Sequence, residues 1–454
     1  MSGVVHTLFF FVVALALLIG VHEYGHFLTA RRLGIRVEKF SIGFGPALFS
    51  WRSRDGEVEY VVAAIPLGGY VKMLGETPGD RAVVEALDAR QRARAFDAQP
   101  VWKRAAVASA GPLANFAFAV VVYMLIGWIG QEVLPPQLGY VEPGGAAARA
   151  GLKPGDRIVR VDGVRIPSWH ALELALKDRV GGEARLTVER GGAAFARRVR
   201  VPAGRRDALL VDVAAERLGM GPATEVVIDE VRPDGPAARA GVRPGDRVAA
   251  VDGSPVRLPG TLIRAVQRSA GRALRLTLRR PGGAVRTVAV VPRSDAKIGG
   301  KGRIGVRLSV RPLAQRVRYR MGPLEGVAYG FSQTWSVTLL TCRVLGKMVT
   351  AAISPQNLGG PIAIARMAGE SASMGLVPFL AFLALISVNL GVLNLLPVPV
   401  LDGGHLLYLS LEKLRGRPLS ERMMERTQYV GVVLIGALML FALYNDLARW
   451  LGGR

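Results

Sequence analysis

The sequence predicts a polytopic α-helical membrane protein with four transmembrane helices and two α+β domains in tandem. Half of its 454 residues are hydrophobic, and its mean hydropathy is positive, as in a membrane protein that carries soluble parts. Four segments are long and apolar enough to cross a bilayer. Between the second and the third of them, a stretch of 21 residues recurs at a fixed offset of 90, which indicates a duplicated domain.

The four spans are predicted from runs of roughly 20 mostly apolar residues. A fifth apolar segment, 323–352, carries Glu325, Arg343 and Lys347, so we expect it to lie at the membrane surface as an amphipathic helix. The four predicted spans are 4–28, 105–129, 376–396 and 429–447.

Lysine and arginine flank the predicted spans on one side of the membrane. Because basic loops stay in the cytoplasm, this pattern places both termini and the duplicated domains on the exterior side of the membrane, whereas a fifth span would break it. Segment 127–148, by contrast, contains neither lysine nor arginine. The basic flanks are Arg31, Arg32, Arg36 and Lys39, then Arg92, Arg94, Lys103 and Arg104, and then Lys413, Arg415, Arg417, Arg422 and Arg426.

The net charge is strongly positive, at +24. The basic residues are spread over the whole chain and are not gathered in a stripe with aromatic residues, so nucleic acid is not an expected partner. Anionic headgroups of the lipid bilayer match the charge better. Cys342 is the only cysteine, which excludes an intrachain disulfide and a cysteine-rich zinc site.

A metal-ligand pattern, His22-Glu23-Tyr24-Gly25-His26, follows directly on the first apolar run. Ionisable groups in a membrane span cost roughly 2.5–3.5 kcal/mol each on insertion scales, so they indicate a functional site. On a helix, positions i and i+4 share one face, where two imidazoles can bind one Zn²⁺ and the glutamate between them can act as a general base. The alternative is a helix end whose polar side chains face interfacial water.

A third zinc ligand must come from another segment, because a catalytic zinc ion usually has three protein ligands. The end of the third span, 394–405, is predicted to lie on the same side of the membrane as the histidine pair. Within it, Asp402 is the only carboxylate between Glu370 and Glu412. His405 is one helical turn further on and competes with Asp402 for the metal. The other histidines outside the pair are His6 and His170.

The paired motifs resemble those of the site-2 protease family, the intramembrane zinc metalloproteases of peptidase family M50. They are His22-Glu23-x-x-His26 and Asn394-x-x-Pro397-x-Pro399-x-Leu401-Asp402-Gly403. With duplicated domains between the second and third spans, the chain is similar to the bacterial branch, the regulators of sigma-E protease. The similarity covers nearly the whole chain, and the paired motifs are highly specific.

The resemblance implies a role for each residue of the motifs. His22, His26 and Asp402 are implied to bind Zn²⁺, and Glu23 is implied to be the catalytic base. Asn394 is implied to hold the backbone of the substrate, and the prolines that follow it suit the wall of a site because they break the helix. The other residues expected to bind substrate are Pro397, Pro399, Gly43 and Gly45.

Further segments also match the family. Segments 40–46 and 65–70 resemble its membrane-re-entrant β-hairpin on the cytoplasmic side, whose edge strand could hold an unwound substrate. Segment 357–361 resembles another recurring stretch. The substrate implied is a single-span membrane protein, in the family an anti-sigma factor trimmed beforehand. The resemblance thus implies regulated intramembrane proteolysis in the envelope stress response, at the bacterial inner membrane, with the zinc site toward the cytoplasm.

The duplicated stretch covers 143–163 and 233–253, in which 14 of 21 positions are identical. Each copy runs from short strands through a Gly-Asp turn to a helix and further strands, a pattern that looks like a PDZ domain. PDZ domains bind extended peptides at the edge of a sheet. The pair is therefore expected either to bind periplasmic peptides or to exclude substrates with large exterior domains, and the sequence leaves both open.

These predictions divide the chain into five parts. They are 1–130 with two spans, the zinc motif and the re-entrant β region, 131–221 and 222–310 as PDZ domains, 311–375 as an amphipathic juxtamembrane region, and 376–454 with two spans. Two rival functions are a non-catalytic scaffold with structural zinc, which would have no use for Glu23 as a base, and a zinc-dependent transporter, for which the sequence offers no intramembrane ion path.

Overall fold

The computed structural model describes residues 3–76, 84–204, 211–257, 259–295, 299–350, 359–417 and 419–452. Residues 357 and 358 of the recurring segment 357–361 therefore lie outside the described residues. The chain divides into two compact units. The membrane unit comprises Met1–Gln131 and Arg320–Arg454, and the intervening unit comprises Glu132–Tyr319.

Helices and strands are numbered in chain order. The helices are α1 (Gly3–Arg32), α2 (Ala89–Arg92), α3 (Val101–Ile129), α4 (Ala146–Arg149), α5 (Trp169–Lys177), α6 (Pro236–Arg239), α7 (Pro259–Arg268), α8 (Pro323–Val349), α9 (Pro361–Ser373), α10 (Leu376–Asn394), α11 (Asp402–Arg415) and α12 (Glu421–Gly452). The strands are β1 (Val37–Arg52), β2 (Glu59–Met73), β3 (Gln131–Val133), β4 (Leu138–Val141), β5 (Arg157–Val161), β6 (Val164–Arg165), β7 (Glu183–Arg190), β8 (Ala193–Arg200), β9 (Met220–Pro222), β10 (Thr224–Val231), β11 (Arg247–Val251), β12 (Ser254–Pro255), β13 (Leu274–Arg279), β14 (Val285–Val290), β15 (Arg293–Asp295), β16 (Lys301–Arg303), β17 (Val306–Pro312) and β18 (Val317–Tyr319).

Among the described residues, four helices are long and apolar enough to cross a membrane, at the four predicted positions. These are Gly3–Arg32, Val101–Ile129, Leu376–Asn394 and Arg422–Ala448. The fifth apolar segment forms α8, which is not one of them. Helix α8 packs on α3 and α10, where Val337 lies in one buried cluster with Ala119 and Val388.

Small residues bring α1 and α3 into close contact. A Cβ atom at Gly25 would lie 2.4 Å from the carbonyl oxygen of Ala110, so a larger residue would force the two helices apart. Lipid gives helices no hydrophobic reason to associate, and close packing through small residues is a common substitute. This contact places the end of α1, which carries the histidine pair, directly against α3.

Strands β1 and β2 fold into a bent sheet beside α1. Phe40 lies opposite both Val71 and Tyr60, so the first half of β1 is flanked by two different parts of β2. The chain bends at Gly43 and Gly45, whose φ values of +97° and +86° favour glycine. Among the described strands, the 69–73 part of β2 pairs on one side only, with the first half of β1.

The intervening unit contains two copies of one α+β arrangement, each with its own core. The first copy has a sheet in the order β6-β5-β7-β8, with β4 paired to β9, and the second has the order β14-β13-β11-β10-β17, with β12 on β11. Leu172 of α5 and Leu262 of α7 are buried at equivalent places in the two cores. The duplication seen in the sequence is thus a duplication of structure.

The two copies repeat the same side-chain capping of their turns. Asp156 accepts a hydrogen bond from the backbone N–H of Lys153 at 2.9 Å, and Asp246 accepts one from Arg243 at 2.9 Å. Both aspartates are buried, at 0% and 1% exposed. Because an aspartate oxygen at this position replaces a backbone acceptor, the repeated Gly-Asp pair has a structural reason in each copy.

A buried carboxyl in the first copy predicts a pH-dependent stability. Burial, together with the neighbouring Asp212, raises the pKa of Glu173 to about 8. A carboxyl whose pKa is raised by folding contributes to stability in full when the pH is below its pKa in the unfolded chain. This contribution is lost as the pH rises through the folded-state pKa of about 8. We expect Glu173→Gln to remove a decline on the order of 1 kcal/mol between pH 6 and 9. Unfolding midpoints of the full chain and of this variant across that range test it, and parallel curves would contradict it.

Candidate metal centre

Two imidazoles converge in the C-terminal part of α1. His22 and His26 are one helical turn apart on the face that meets α3, and they are 9% and 8% exposed. Their Nε2 atoms lie 3.3 Å from each other. Two ring nitrogens this close can share a cation when the ring proton of each imidazole is on its Nδ1.

Asp402 brings a carboxylate to the same point. It is the first residue of α11, and its Oδ2 lies 3.1 Å from His22 Nε2 while its Oδ1 lies 3.5 Å from His26 Nε2. One ligand atom from each of these three residues lies within 4.8 Å of the others. Asp402 lies 376 positions after His26 and 380 after His22, so tertiary folding alone unites α1 with α11.

This donor set fits a zinc ion. Ligand atoms about 2.0–2.1 Å from a tetrahedral zinc ion lie roughly 3.3 Å apart. Here the two Nε2 atoms are 3.3 Å apart, and each has one oxygen of the Asp402 carboxylate nearby, Oδ2 at 3.1 Å from His22 and Oδ1 at 3.5 Å from His26. Asp402 Oδ2 is also buried without a hydrogen bond of good geometry, although His22 Nε2 is near it. A buried carboxylate oxygen in that condition is costly unless a cation pairs with it.

Helix α3 holds both rings from the other side. The Nδ1–H of His26 donates to the carbonyl oxygen of Val107 at 2.8 Å, which leaves Nε2 free for a metal. His22 Nδ1 lies 3.0 Å from the side-chain amide of Asn115. A Cβ atom at Gly111 would lie 2.2 Å from His26 Nε2, so only glycine lets the rings approach this helix.

The loop before Asp402 is tightly constrained. Val400 has φ +90°, a left-handed conformation that a β-branched residue adopts only under strain. Packing enforces it, because a Cβ atom at Gly431 of α12 would lie 2.2 Å from the carbonyl oxygen of Pro399. Gly404 similarly allows α11 to approach the carbonyl oxygen of Val398. The start of α11, and with it Asp402, is therefore held by close backbone packing.

An ion pair ties α11 to α3. Arg104 makes a two-pronged contact with Glu412, with distances of 2.5 and 3.1 Å, and the side chains are only 15% and 16% exposed. Paired guanidinium and carboxylate groups in this geometry fix orientation as well as distance. Helix α11 is thus joined to α3 through Glu412 and to the metal-ligand cluster through its first residue, Asp402.

A cavity of about 1560 Å³ opens onto the cluster, and Glu23, Asn394 and His405 also line it. Asn394 Nδ2 lies 3.5 Å from His22 Nε2. The edge of β2 reaches the same place, since a Cβ atom at Gly69 would lie 2.9 Å from Cγ of Glu23. Four residues that were expected to bind substrate are not among the described residues that line this cavity. They are Gly43, Gly45, Pro397 and Pro399.

The alternative ligands lie elsewhere. His405 lines the cavity but does not belong to the three-residue cluster, the one such group found in the described part of the chain. His6 lies near the start of α1, and His170 lies on α5 of the intervening unit.

Known proteins of one family match the chain over most of its length. A model of peptidase family M50 matches residues 10–438. The chain belongs to this family. The regulator of sigma-E protease RseP from Escherichia coli is 42% identical, over 97% of this chain and 98% of its own. The protease RseP from Yersinia pestis is 41% identical, over 99% and 100%.

These matches make the chain an RseP-like site-2 protease, a metalloprotease of the inner membrane. A relative from Ralstonia nicotianae that is named as a zinc metalloprotease is 40% identical over 98% of each chain. Among solved structures, the PDZ domain of the SdrC-like protein from Listeria innocua aligns with 18% of this chain and 92% of its own, at 21% identity and a TM-score of 0.17.

Helix α3 contributes residues to the site that the motifs in the sequence did not predict. Asn115 and Gly111 touch the two imidazoles, and neither belongs to the paired motifs. A signal was present, because an asparagine in the middle of an apolar span is costly and marks a functional position.

Proposed function

We propose that this chain is an intramembrane zinc metalloendopeptidase, of the class EC 3.4.24.-, that cleaves single-span membrane proteins. His22, His26 and Asp402 hold Zn²⁺, and Glu23 is the catalytic base. The observation that carries the proposal is the convergence of the three ligand atoms on one wall of a cavity that Glu23 also lines.

The residues around the metal site have different roles in the proposed reaction. A zinc ion held by His22, His26 and Asp402 would supply Lewis acidity toward the scissile carbonyl and toward water. Glu23 accepts the proton from water and delivers it to the leaving nitrogen. Asn394, 3.5 Å from His22 Nε2, is near enough to the ligands for its amide to bond the backbone of a substrate that lies across them.

The substrate lies extended beside Glu23. Helical substrates already have their carbonyls hydrogen-bonded, so the cleaved segment must unwind first. Among the described strands, the 69–71 part of β2 pairs only with the first half of β1, and Gly69 reaches Glu23, which supports pairing with an unwound segment as an added strand. Gly43 and Gly45 act by shaping the bend of this sheet, and Pro397 and Pro399 by shaping the loop that ends at Asp402.

The biological substrate we propose is an anti-sigma factor that has lost most of its exterior domain, cleaved in the envelope stress response. The basic flanks of the spans support periplasmic termini and a zinc site toward the cytoplasm. The two copies in the intervening unit are proposed to be PDZ domains, bounded at 131–221 and 222–310. In the described part of the second copy, β17 pairs only with β10, which leaves an edge for a periplasmic peptide.

Removal of the metal tests the proposal. A strong chelator is expected to abolish cleavage of a single-span model substrate by the purified full chain, and stoichiometric Zn²⁺ is expected to restore it. Mg²⁺ serves as the control, because it prefers all-oxygen sites and should not restore cleavage. Product masses would locate the cut within the apolar segment. Equal cleavage by metal-depleted and metal-loaded protein would overturn the assignment.

A further inference from the structure

Asn115 occupies a position that the proposed chemistry does not yet use. It lies in the middle of α3, inside a membrane span, and is 0% exposed. One atom of its side-chain amide lies 3.0 Å from His22 Nδ1, and its other amide atom is buried without a hydrogen-bond partner. A fully buried amide with only one partner is expensive in an apolar span, so a function at that one contact is the natural explanation.

The contact decides which nitrogen of His22 carries the ring proton. A neutral imidazole has one N–H and one lone pair. If the amide nitrogen of Asn115 donates to Nδ1, the ring proton is at Nε2, where it would face His26 Nε2 and Asp402 Oδ2 and block a metal. A half-turn of the amide about its last side-chain bond presents Oδ1 instead, which accepts a hydrogen bond from Nδ1–H and leaves the Nε2 lone pair free.

His26 shows which arrangement the site uses. Its Nδ1 faces the carbonyl oxygen of Val107 at 2.8 Å, and a carbonyl can only accept, so the proton of His26 is on Nδ1. Asn115 stands in the matching position for His22, on the same helix. An acceptor at both places would give two imidazoles with both Nε2 lone pairs directed at the Asp402 carboxylate.

We propose that Asn115 is a positioning residue that accepts the Nδ1–H of His22 through Oδ1 and thereby keeps His22 Nε2 available to the metal. The inference rests on the proposed zinc site and adds an outer partner to it. The backbone of Asn115 is anchored separately, since Ser387 Oγ of α10 donates to its carbonyl oxygen at 2.9 Å. The orientation of the amide and the anchoring of the helix can therefore be tested apart.

The test measures zinc affinity of the purified full chain by competition with a chelator of known affinity, so it does not depend on activity. Asn115→Leu keeps the approximate size and removes the acceptor, and we expect zinc to bind about 10–100-fold more weakly, as for other outer partners of zinc-bound histidines. Asn115→Asp keeps the acceptor and cannot donate, so it should bind zinc at least as tightly as the wild type. Ser387→Ala is the matched control: it removes the hydrogen bond from α10 to the Asn115 carbonyl oxygen and should leave the affinity within about twofold.

Each outcome decides between acceptor, donor and purely structural roles. Affinity within twofold for Asn115→Leu would overturn the proposal, and so would an equal loss in Asn115→Asp, since that would make the amide N–H the important group. An equal loss of zinc affinity in Ser387→Ala would contradict the proposal, because it would mean that Asn115 acts only through the packing of α3. If Asn115→Leu does not fold, Asn115→Ala replaces it under the same expectations. A wild-type chain that binds no zinc would instead overturn the proposed function itself.

Discussion

Glu23→Gln is expected to abolish peptide cleavage while leaving zinc binding intact. Glutamine has nearly the same shape as glutamate but cannot take a proton from water at neutral pH. General acid–base groups contribute roughly 10²–10⁴-fold to rates, so cleavage should fall by at least a hundredfold. The ligand atoms belong to His22, His26 and Asp402, and Glu23 is not one of them, so metal content should stay at the wild-type level.

The measurement combines cleavage of a single-span model substrate with metal analysis of the same preparation. Tyr24→Phe is the matched control, because Tyr24 is the next residue on α1 and its side chain is 52% exposed, away from the cluster. It should retain wild-type cleavage. Cleavage by Glu23→Gln within tenfold of the wild type would remove Glu23 from the mechanism, whereas loss of zinc in that variant would make it a ligand instead of a base. Trapped substrate fragments in cells that carry Glu23→Gln would identify the natural substrate.

The spans were predictable because one physical length governs them. A bilayer requires about 20 apolar residues in a helix, and no packing detail enters that requirement. The duplicated domains were predictable for a different reason. Their Gly-Asp turns need the same residues in each copy, since Asp156 and Asp246 cap the same backbone groups, and the repeat therefore remains visible in the sequence.

The sequence alone could not predict that α3 packs against the two imidazoles. Asn115, Val107 and Gly111 lie more than 80 residues from the histidines, and they touch them because α1 and α3 pack closely at Gly25. Val107 contributes through its backbone carbonyl, for which side-chain identity gives no signal. The strained φ of Val400 is equally hidden, because it results from α12 packing on the loop and not from any preference of valine.

The bent sheet formed by β1 and β2 shows the same limit. Positive φ at Gly43 and Gly45 could be anticipated from glycine, but the pairing of Phe40 with two separate parts of β2 could not. Register depends on where the chain folds back, and a shift of one residue reverses the face of every side chain. The position of Gly69 beside Glu23, on a part of β2 that pairs with one described strand, is consequently a finding of the structure.

Asp402→Ala is expected to remove zinc, whereas His405→Ala is expected to retain it. The two residues are three positions apart, and spacing alone allowed either to be the third ligand. In the structure, α11 begins at Asp402, so its carboxylate lies 3.1 and 3.5 Å from the two imidazoles. His405 lines the cavity outside that cluster.

The expected magnitudes separate the two variants clearly. Loss of a direct ligand should weaken zinc binding by more than the roughly 10–100-fold that an outer partner contributes, and without zinc the chain should not cleave a single-span substrate. His405→Ala should bind zinc within a few-fold of the wild type. Metal stoichiometry and chelator competition on both purified variants measure this difference. The reverse result, with zinc lost only in His405→Ala, would mean that His405 of α11 binds the metal. The ligands would then be three histidines, with Asp402 as their outer partner.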